Sequence, residues 1–380
     1  MKANNNIKNQ RWAVLAAFFF NGALIASWIA RIPAIQDTLA LSEVRLGFVL
    51  MGMSVGMIAS LLLSGNLIAR HGSKTITIAS GLAACLALPL LGLAPQGSTL
   101  FLLLAFFGAG ISAMDVAMNE QAVLVERSHG KPIMSSFHAA FSIGGFFGAM
   151  LGAGMAAATG LPIWVHFVLV GLLVGASFLF LNKKLVPTVS NPSAPKAVFT
   201  IPRGAVWLLG IIALGSMIGE GASGDWSAVY LTDLLETNAS TAALGFASFS
   251  LTMTVGRLIG DFLTDFLGPK TLVRLGGFTA GIGFLIVALT ANVWIAILAF
   301  GLIGLGLANI IPIVFSAAGN LPDTLPGAGI AGAATIGYLG FLAGPPLIGS
   351  IAEIFSLRTS FIIISIIIGG TVLFAKHINK

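Results

Sequence analysis

Long apolar runs follow one another through this chain, and few folds can take them. The stretch 162–181, for instance, holds no Asp, Glu, Lys or Arg. About twelve runs of roughly 20 residues or more are read, at 12–34, 46–69, 75–94, 98–126, 133–160, 162–181, 204–231, 240–266, 270–290, 292–318, 327–354 and 357–376. Coiled as a helix at 1.5 Å per residue, each covers a hydrocarbon core of ~30 Å. The connections between them are mostly too short to hold a soluble domain. Charged residues make up 8% of the chain, against about 25% in soluble domains. The expected class is an all-α membrane protein with about 12 transmembrane helices.

The excess of basic residues, +6 overall, has an ordinary origin in loops on one side of the membrane. It does not call for a nucleic-acid partner. Alternating the runs from a cytoplasmic N-terminus leaves Arg31, Arg45 and Arg358 outside, while Lys2, Lys8, Arg11, Arg70, Lys74, Arg127, Lys131, Lys183, Lys184, Lys196, Arg203, Lys270, Arg274, Lys376 and Lys380 fall inside. Both termini are therefore expected in the cytoplasm. Lys2, Lys8 and Arg11 before the first run give the start the look of a secretory leader. The run is too long for one and shows no small-x-small cleavage site, so it reads as a retained first helix. Cys85 is the only cysteine, which excludes an intramolecular disulfide and a cysteine-based metal site. No metal and no cofactor are expected. There is no phosphate-loop or HExxH element either, so the chain is not read as an enzyme or as ATP-driven.

The one long polar, proline-rich stretch is 182–203, read as a cytoplasmic linker between a six-helix bundle at 1–181 and another at 204–380. Across it the halves repeat at an offset near 196 residues. Gly110 meets Gly306, Gly144 meets Gly340, Gly148 meets Gly344, Gly72 falls opposite Gly268 and Lys74 opposite Lys270. Trp28 and Trp226 pair at a slightly larger offset.

The costliest residues are carboxylates inside the runs. At 100° per residue, Asp115, Asn119, Ala122 and Glu126 lie within about 40° of one another, with Gly108 and Ser112 extending the stripe. A charged carboxylate at the centre of a membrane helix costs roughly 2.5–3.5 kcal/mol, so it needs a partner, a proton or a function. Asp115 lies about 18 Å from the helix end at Arg127, near the midplane. It is the leading proton-coupling candidate, with a structural acid held by Asn119 or an arginine as the other reading. His138, on one face with Ser142, is a possible relay partner. Asn21, Asn119, Ser142, Glu220 and Asn309 are candidate substrate contacts, with interhelical hydrogen bonding the competing role. Glu126, beside Arg127, His129 and Lys131, is read as a gate at the cytoplasmic mouth. Asp225 is read as a gate at the other side. Arg257 and Asp261, at i and i+4, can pair on one helix face as a conformational latch, joined at that end by Asp265. Glu120 is a second-tier candidate whose partner the sequence does not name, His166 is read as structural, and the prolines of Gly340–Gly349 suggest a bendable or closely packed helix.

The loop Gly65-Asn-Leu-Ile-Ala-Arg-His-Gly-Ser-Lys74 resembles the major facilitator signature G-x-L-x-D-R-x-G-R-[RK], and Gly256–Lys270 resembles its second copy. Ala69 stands where the signature has Asp, which Asp265 keeps in the second copy. Asp115-Val-Ala-Met-Asn119 and Phe137–Gly145 resemble the fourth and fifth helices of the fucose-permease branch of proton symporters. The whole chain, including Gly219–Leu231, is similar to YbjJ-type bacterial inner-membrane permeases. Glu120 and Arg31 depart from the fucose-permease pattern. The resemblance implies a major facilitator fold of two pseudo-symmetric six-helix bundles. It implies a secondary transporter in a bacterial inner membrane, moving a small polar solute, sugar or sugar-derived, by alternating access with proton symport. Export of drugs or metabolites is the second reading. The implied partners are a small-molecule substrate, protons and the bilayer, with the protein acting as a monomer.

Overall fold

The structure, a computed structural model, describes residues 2–41, 43–158, 162–188, 204–237, 239–322, 324–325 and 327–378. Its elements are α1 (Lys2–Ile29), α2 (Ile32–Thr38), α3 (Glu43–His71), α4 (Ser73–Leu91), α5 (Gly97–His129), α6 (Met134–Ala158), α7 (Ile163–Leu181), α8 (Ala205–Val229), α9 (Ala239–Leu267), α10 (Pro269–Leu289), α11 (Val293–Leu307), α12 (Ile310–Gly319), α13 (Ala328–Ile354) and α14 (Leu357–Thr371). A π-helical turn, Tyr230–Leu234, prolongs α8, and a 3-10 turn, Val372–His377, follows α14. Eleven spans among the described residues are long and apolar enough to cross a membrane. The remaining long helix, α9, is richer in Ser and Thr and carries Arg257, Asp261 and Asp265. Of the expected linker, 189–203 lies outside the described residues.

Two expected runs are interrupted, each for a backbone reason. The first breaks at Ala30–Arg31, where Pro33 opens α2 within its first two positions. The tenth breaks at Ala308–Asn309, between α11 and α12. Pro312 has no N–H to return to the Ala308 carbonyl four residues earlier, so that acceptor is released from the helix ladder. By contrast, α13 runs unbroken through Pro345 and Pro346.

The described chain forms two compact units: residues 1–130, 140–200 and 322–331 in the first, and 131–139, 201–321 and 332–380 in the second. In unit 1, α5 is the central helix, buried along Leu100, Leu104, Phe107, Ile111, Met114 and Met118. Neighbouring helices reach it through small residues: a Cβ on Gly56 of α3 would collide with the Ala105 carbonyl, and one on Gly108 of α5 with the Met53 carbonyl. In unit 2, α8 packs against α9, α11, α12 and α14. Tyr230 stacks on Phe361 there, at 5.0 Å between ring centroids.

Matching positions in the halves play matching roles. Gly110 packs on Ser80 and Ala84, while Gly306 packs on Gly276 and Ala280, each 196 residues further on. Gly72 and Gly268 start α4 and α10 with φ of 81° and 79°, values that side-chain-bearing residues rarely adopt. Gly144 meets the Phe19 carbonyl of α1 and Gly340 the Leu214 carbonyl of α8. The correspondence lapses at Gly344, which faces open space, whereas Gly148 packs on Ala23.

Candidate functional site

In unit 1 the polar stripe of α5 carries the Asp115 carboxyl and the Asn119 amide one turn apart. Asn119, fully buried, folds back one turn, and its Nδ2 donates to the Asp115 backbone carbonyl at 2.9 Å and to Asp115 Oδ1 at 3.2 Å. The i, i+4 geometry read from the sequence is what lets the side chains meet. Asp115 itself stays partly accessible. A turn away, Asn21 of α1 donates Nδ2 to the Ile111 carbonyl at 3.3 Å, and Ser112 donates to the Met57 carbonyl of α3 at 3.2 Å. Both tie neighbouring helices to α5, one N–H of the Asn21 amide going to an interhelical bond. Ser142 lies half-buried on the unit 1 part of α6, and Glu126 half-buried in the last turn of α5.

Two further polar residues of α5 have partners far away in sequence. Gln121, fully buried, donates Nε2 to Ser73 Oγ at 2.8 Å and to the Val186 carbonyl at 3.1 Å, and its Oε1 accepts from Val186 N at 2.8 Å. Glu120 is 4% exposed, and its Oε2 accepts from the Gly327 backbone N–H at 2.9 Å. Gly327 directly precedes α13 and has φ +74°, so Glu120 serves the orphan N–H at that helix start. At the other end of α1, Arg31 and His166 are buried, and Arg31 Nε and both His166 ring nitrogens have no hydrogen-bond partner.

Unit 2 gathers a second polar cluster. Arg257 of α9 places Nη2 3.6 Å from Glu220 Oε1 of α8, with 9% and 19% of the two side chains accessible. Its Nε donates to the Ala308 carbonyl at 3.3 Å, the acceptor that Pro312 leaves free. Asn309, in the same break, donates Nδ2 to the Gly256 carbonyl at 3.0 Å and presses Oδ1 against Gly260, binding α12 to α9. Asp261 Oδ1 accepts from Ser136 N at 3.1 Å in the first turn of α6. His138, two residues on, is buried against Phe315 at 6.2 Å between centroids and feels the charge of Arg257. Asp265 pairs with Lys131 at 3.4 Å, both exposed. Asp225 is exposed on α8.

The sequence placed Glu220 and Arg257 in separate roles, and the structure makes them a pair. Helix counting treats depth at Cα, whereas an Arg and a Glu reaching toward each other span the difference. The depth of Arg257 alone could not name its partner. The release of Ala308 by Pro312 was the available signal for where its Nε goes.

The sequence profile of the Major Facilitator Superfamily matches residues 13–234 and 210–377. An uncharacterised transporter of that type from Yersinia pestis is 36% identical over 358 residues, covering 93% of this chain and 91% of its own. The membrane protein MosC of Rhizobium meliloti is 31% identical over 373 residues, covering 96% and 90%. Among solved structures, the transporter FucP in its outward conformation superposes with a TM-score of 0.77 at 13% identity, covering 97% of this chain and 98% of that one. The human organic anion transporter TETRAN gives the same TM-score at 15% identity, covering 97% and 99%. With the profile and the relatives each extending over nearly the whole length, and the fold shared with FucP, this chain belongs to the Major Facilitator Superfamily.

Proposed function

We propose that this transporter carries a small polar solute, sugar or sugar-derived, across the bacterial inner membrane by alternating access, in symport with protons. The observation that carries the reading is the Asp115–Asn119 carboxyl–amide pair inside the membrane-spanning α5, bonded at 3.2 Å and still partly accessible. A carboxyl in that setting is tolerated when paired or protonated, and cycling between those conditions is what a proton-coupled step uses. FucP, whose fold is shared, is described as a fucose:proton symporter, and the helix-four pattern resembles that branch. Asn119 and Ser142 are assigned to the solute, His138 to proton passage, and Glu126, Asp225, Asp261 and Asp265 to gating. The protein is taken to work as a monomer with both termini in the cytoplasm.

Proteoliposomes carrying an imposed pH gradient test this, once a library of sugars and sugar acids has supplied a solute that raises the protein's thermal stability. Asp115→Asn is expected to abolish uphill accumulation while leaving solute exchange measurable. Unchanged uphill uptake would remove Asp115 from the coupling. Flux opposite in sign to the proton gradient's symport direction would replace uptake with export.

A further inference from the structure

Unit 1 buries a positive charge that no acid among the described residues neutralises. Arg31, in the break that ends α1, is 4% exposed, and its Nε has no hydrogen-bond partner. A guanidinium stays charged at any ordinary pH, yet no ion pair among the described residues includes this one. Two more orphaned groups lie beside it. Ser27, one turn earlier on α1, is fully buried with its hydroxyl unpartnered, and His166, near the start of α7, is 1% exposed with neither ring nitrogen bonded. Packing brings the three together. A Cβ on Gly152 of α6 would lie 2.6 Å from Ala30 Cβ and 3.4 Å from His166 Cε1. Trp28 and Phe167, the neighbours of Ser27 and His166, rest 6.4 Å apart between ring centroids, and His166 feels the charge of Arg31. Buried polar groups of native proteins are ordinarily hydrogen-bonded, so three orphans in one place mark a ligand more readily than a packing fault.

We propose that Ser27, Arg31 and His166 form a binding site for one small monovalent anion, of the size of chloride or formate. The charge follows from what surrounds Arg31. The helices α4, α6 and α7 carry no acid. On α5, Asp115 is bonded to Asn119, Glu120 to the Gly327 N–H, and Glu126 sits in the last turn; Asp37 of α2 is exposed. One negative charge therefore balances Arg31 with His166 neutral. The bound anion accepts from the guanidinium, from the Ser27 hydroxyl and from one imidazole N–H, which satisfies a donor on each of the three side chains. The size follows from the close approach of Ala30 and His166 about Gly152, which leaves no room for a branched or long ligand. So held, the anion bridges the end of α1 to the start of α7. The site uses none of the residues assigned to the solute or to protons, and it stands or falls apart from the symport reading.

Chloride is the probe, replacing the larger monovalent anion isethionate at constant ionic strength around the full-length protein in detergent. The melting temperature is expected to rise with chloride and to saturate, as binding to the folded state alone requires. Equilibrium dialysis with radioactive chloride should find about one ion per chain, displaced by formate. Arg31→Gln should abolish both effects, yet melt in isethionate no lower than the wild type, because it discards a buried charge that nothing balances. Ser27→Ala and His166→Phe leave that charge in place and should each weaken chloride binding about tenfold, the loss of one hydrogen bond to a charged group. The proposal is overturned if chloride acts no differently from isethionate or if Arg31→Gln retains its chloride. It is overturned equally if Arg31→Gln melts well below the wild type in isethionate, which would make Arg31 a structural group held by the protein itself, or if neither Ser27→Ala nor His166→Phe alters the affinity.

Discussion

Glu120 offers the sharpest test of the packing in unit 1, because four substitutions there are expected to fall in an unusual order. Its carboxylate is buried on α5 and bonded at 2.9 Å to the backbone N–H of Gly327, which no carbonyl of α13 can satisfy. A hydrogen bond to a charged group contributes about 1.5–3 kcal/mol net, and a carboxylate at a helix start adds roughly 0.3–1 kcal/mol. Glu120→Gln keeps an acceptor of the same reach and loses only the charge, so it should cost about 1 kcal/mol. Glu120→Ala strands the Gly327 donor and should cost about 2–4 kcal/mol. Glu120→Asp is one methylene short of the donor, leaving both an unbonded N–H and a buried charge, and should be worst at about 3–5 kcal/mol. Glu120→Leu should resemble Ala, with better filling of the space offsetting part of the loss. Denaturant unfolding in micelles, followed by tryptophan fluorescence, gives the ranking. Hydrogen exchange at residues 327–331 reports the bond itself. An aspartate variant as stable as the glutamine one, or Gly327 exchange unchanged in Glu120→Ala, would refute the assignment of this bond.

Two further expectations follow from the glycines and the helix break. Gly340→Ala places a methyl 2.8 Å from the Leu214 carbonyl and should destabilise by about 1–3 kcal/mol through overpacking, while Gly344→Ala, which faces open space, should change the unfolding midpoint little or raise it, since Ala exceeds Gly in helix propensity. Asn309→Leu removes the donor to Gly256 and forces bulk against Gly260, so a loss of about 2–4 kcal/mol is expected in the same unfolding assay; a neutral outcome would mean that Asn309 does not clamp α12 to α9.

Most of the architecture was legible because the membrane removes alternatives. A 20-residue apolar run in hydrocarbon has to satisfy its own backbone, so helix existence followed from composition alone. The repeat was legible for a different reason. Gly110 and Gly306 sit where two helices approach closely: a Cβ on Gly306 would lie 2.6 Å from the Gly276 carbonyl, and one on Gly110 3.2 Å from the Ser80 carbonyl, so the smallest residue suits both places. What escaped was local chemistry inside a run. Pro33 and Pro312 each sit just after a break that hydropathy smooths over, although the missing N–H of proline marks the position four residues earlier. Read that way, Pro312 predicts the free Ala308 carbonyl, and a proline count would have found it.

The candidate site divided along the same line. Asp115 and Asn119 were paired from sequence because a helix fixes the geometry of residues four apart. Glu120 and Gly327 lie 207 residues apart, and no periodicity joins them. Glu220 and Arg257 present the harder case, since each was noticed and neither was assigned to the other. Periodicity gives the face a side chain occupies, but a charge buried on that face must be neutralised by something on another helix. The chain has few acids and few bases within its runs, so the possible matches are few. Arg257 is a basic residue within a run, and the helix packed against it, α8, carries two acids, Glu220 and Asp225, of which Asp225 is exposed. Charge balance inside the apolar runs therefore contains information that hydropathy discards, and it points to the same pair that the structure brings together.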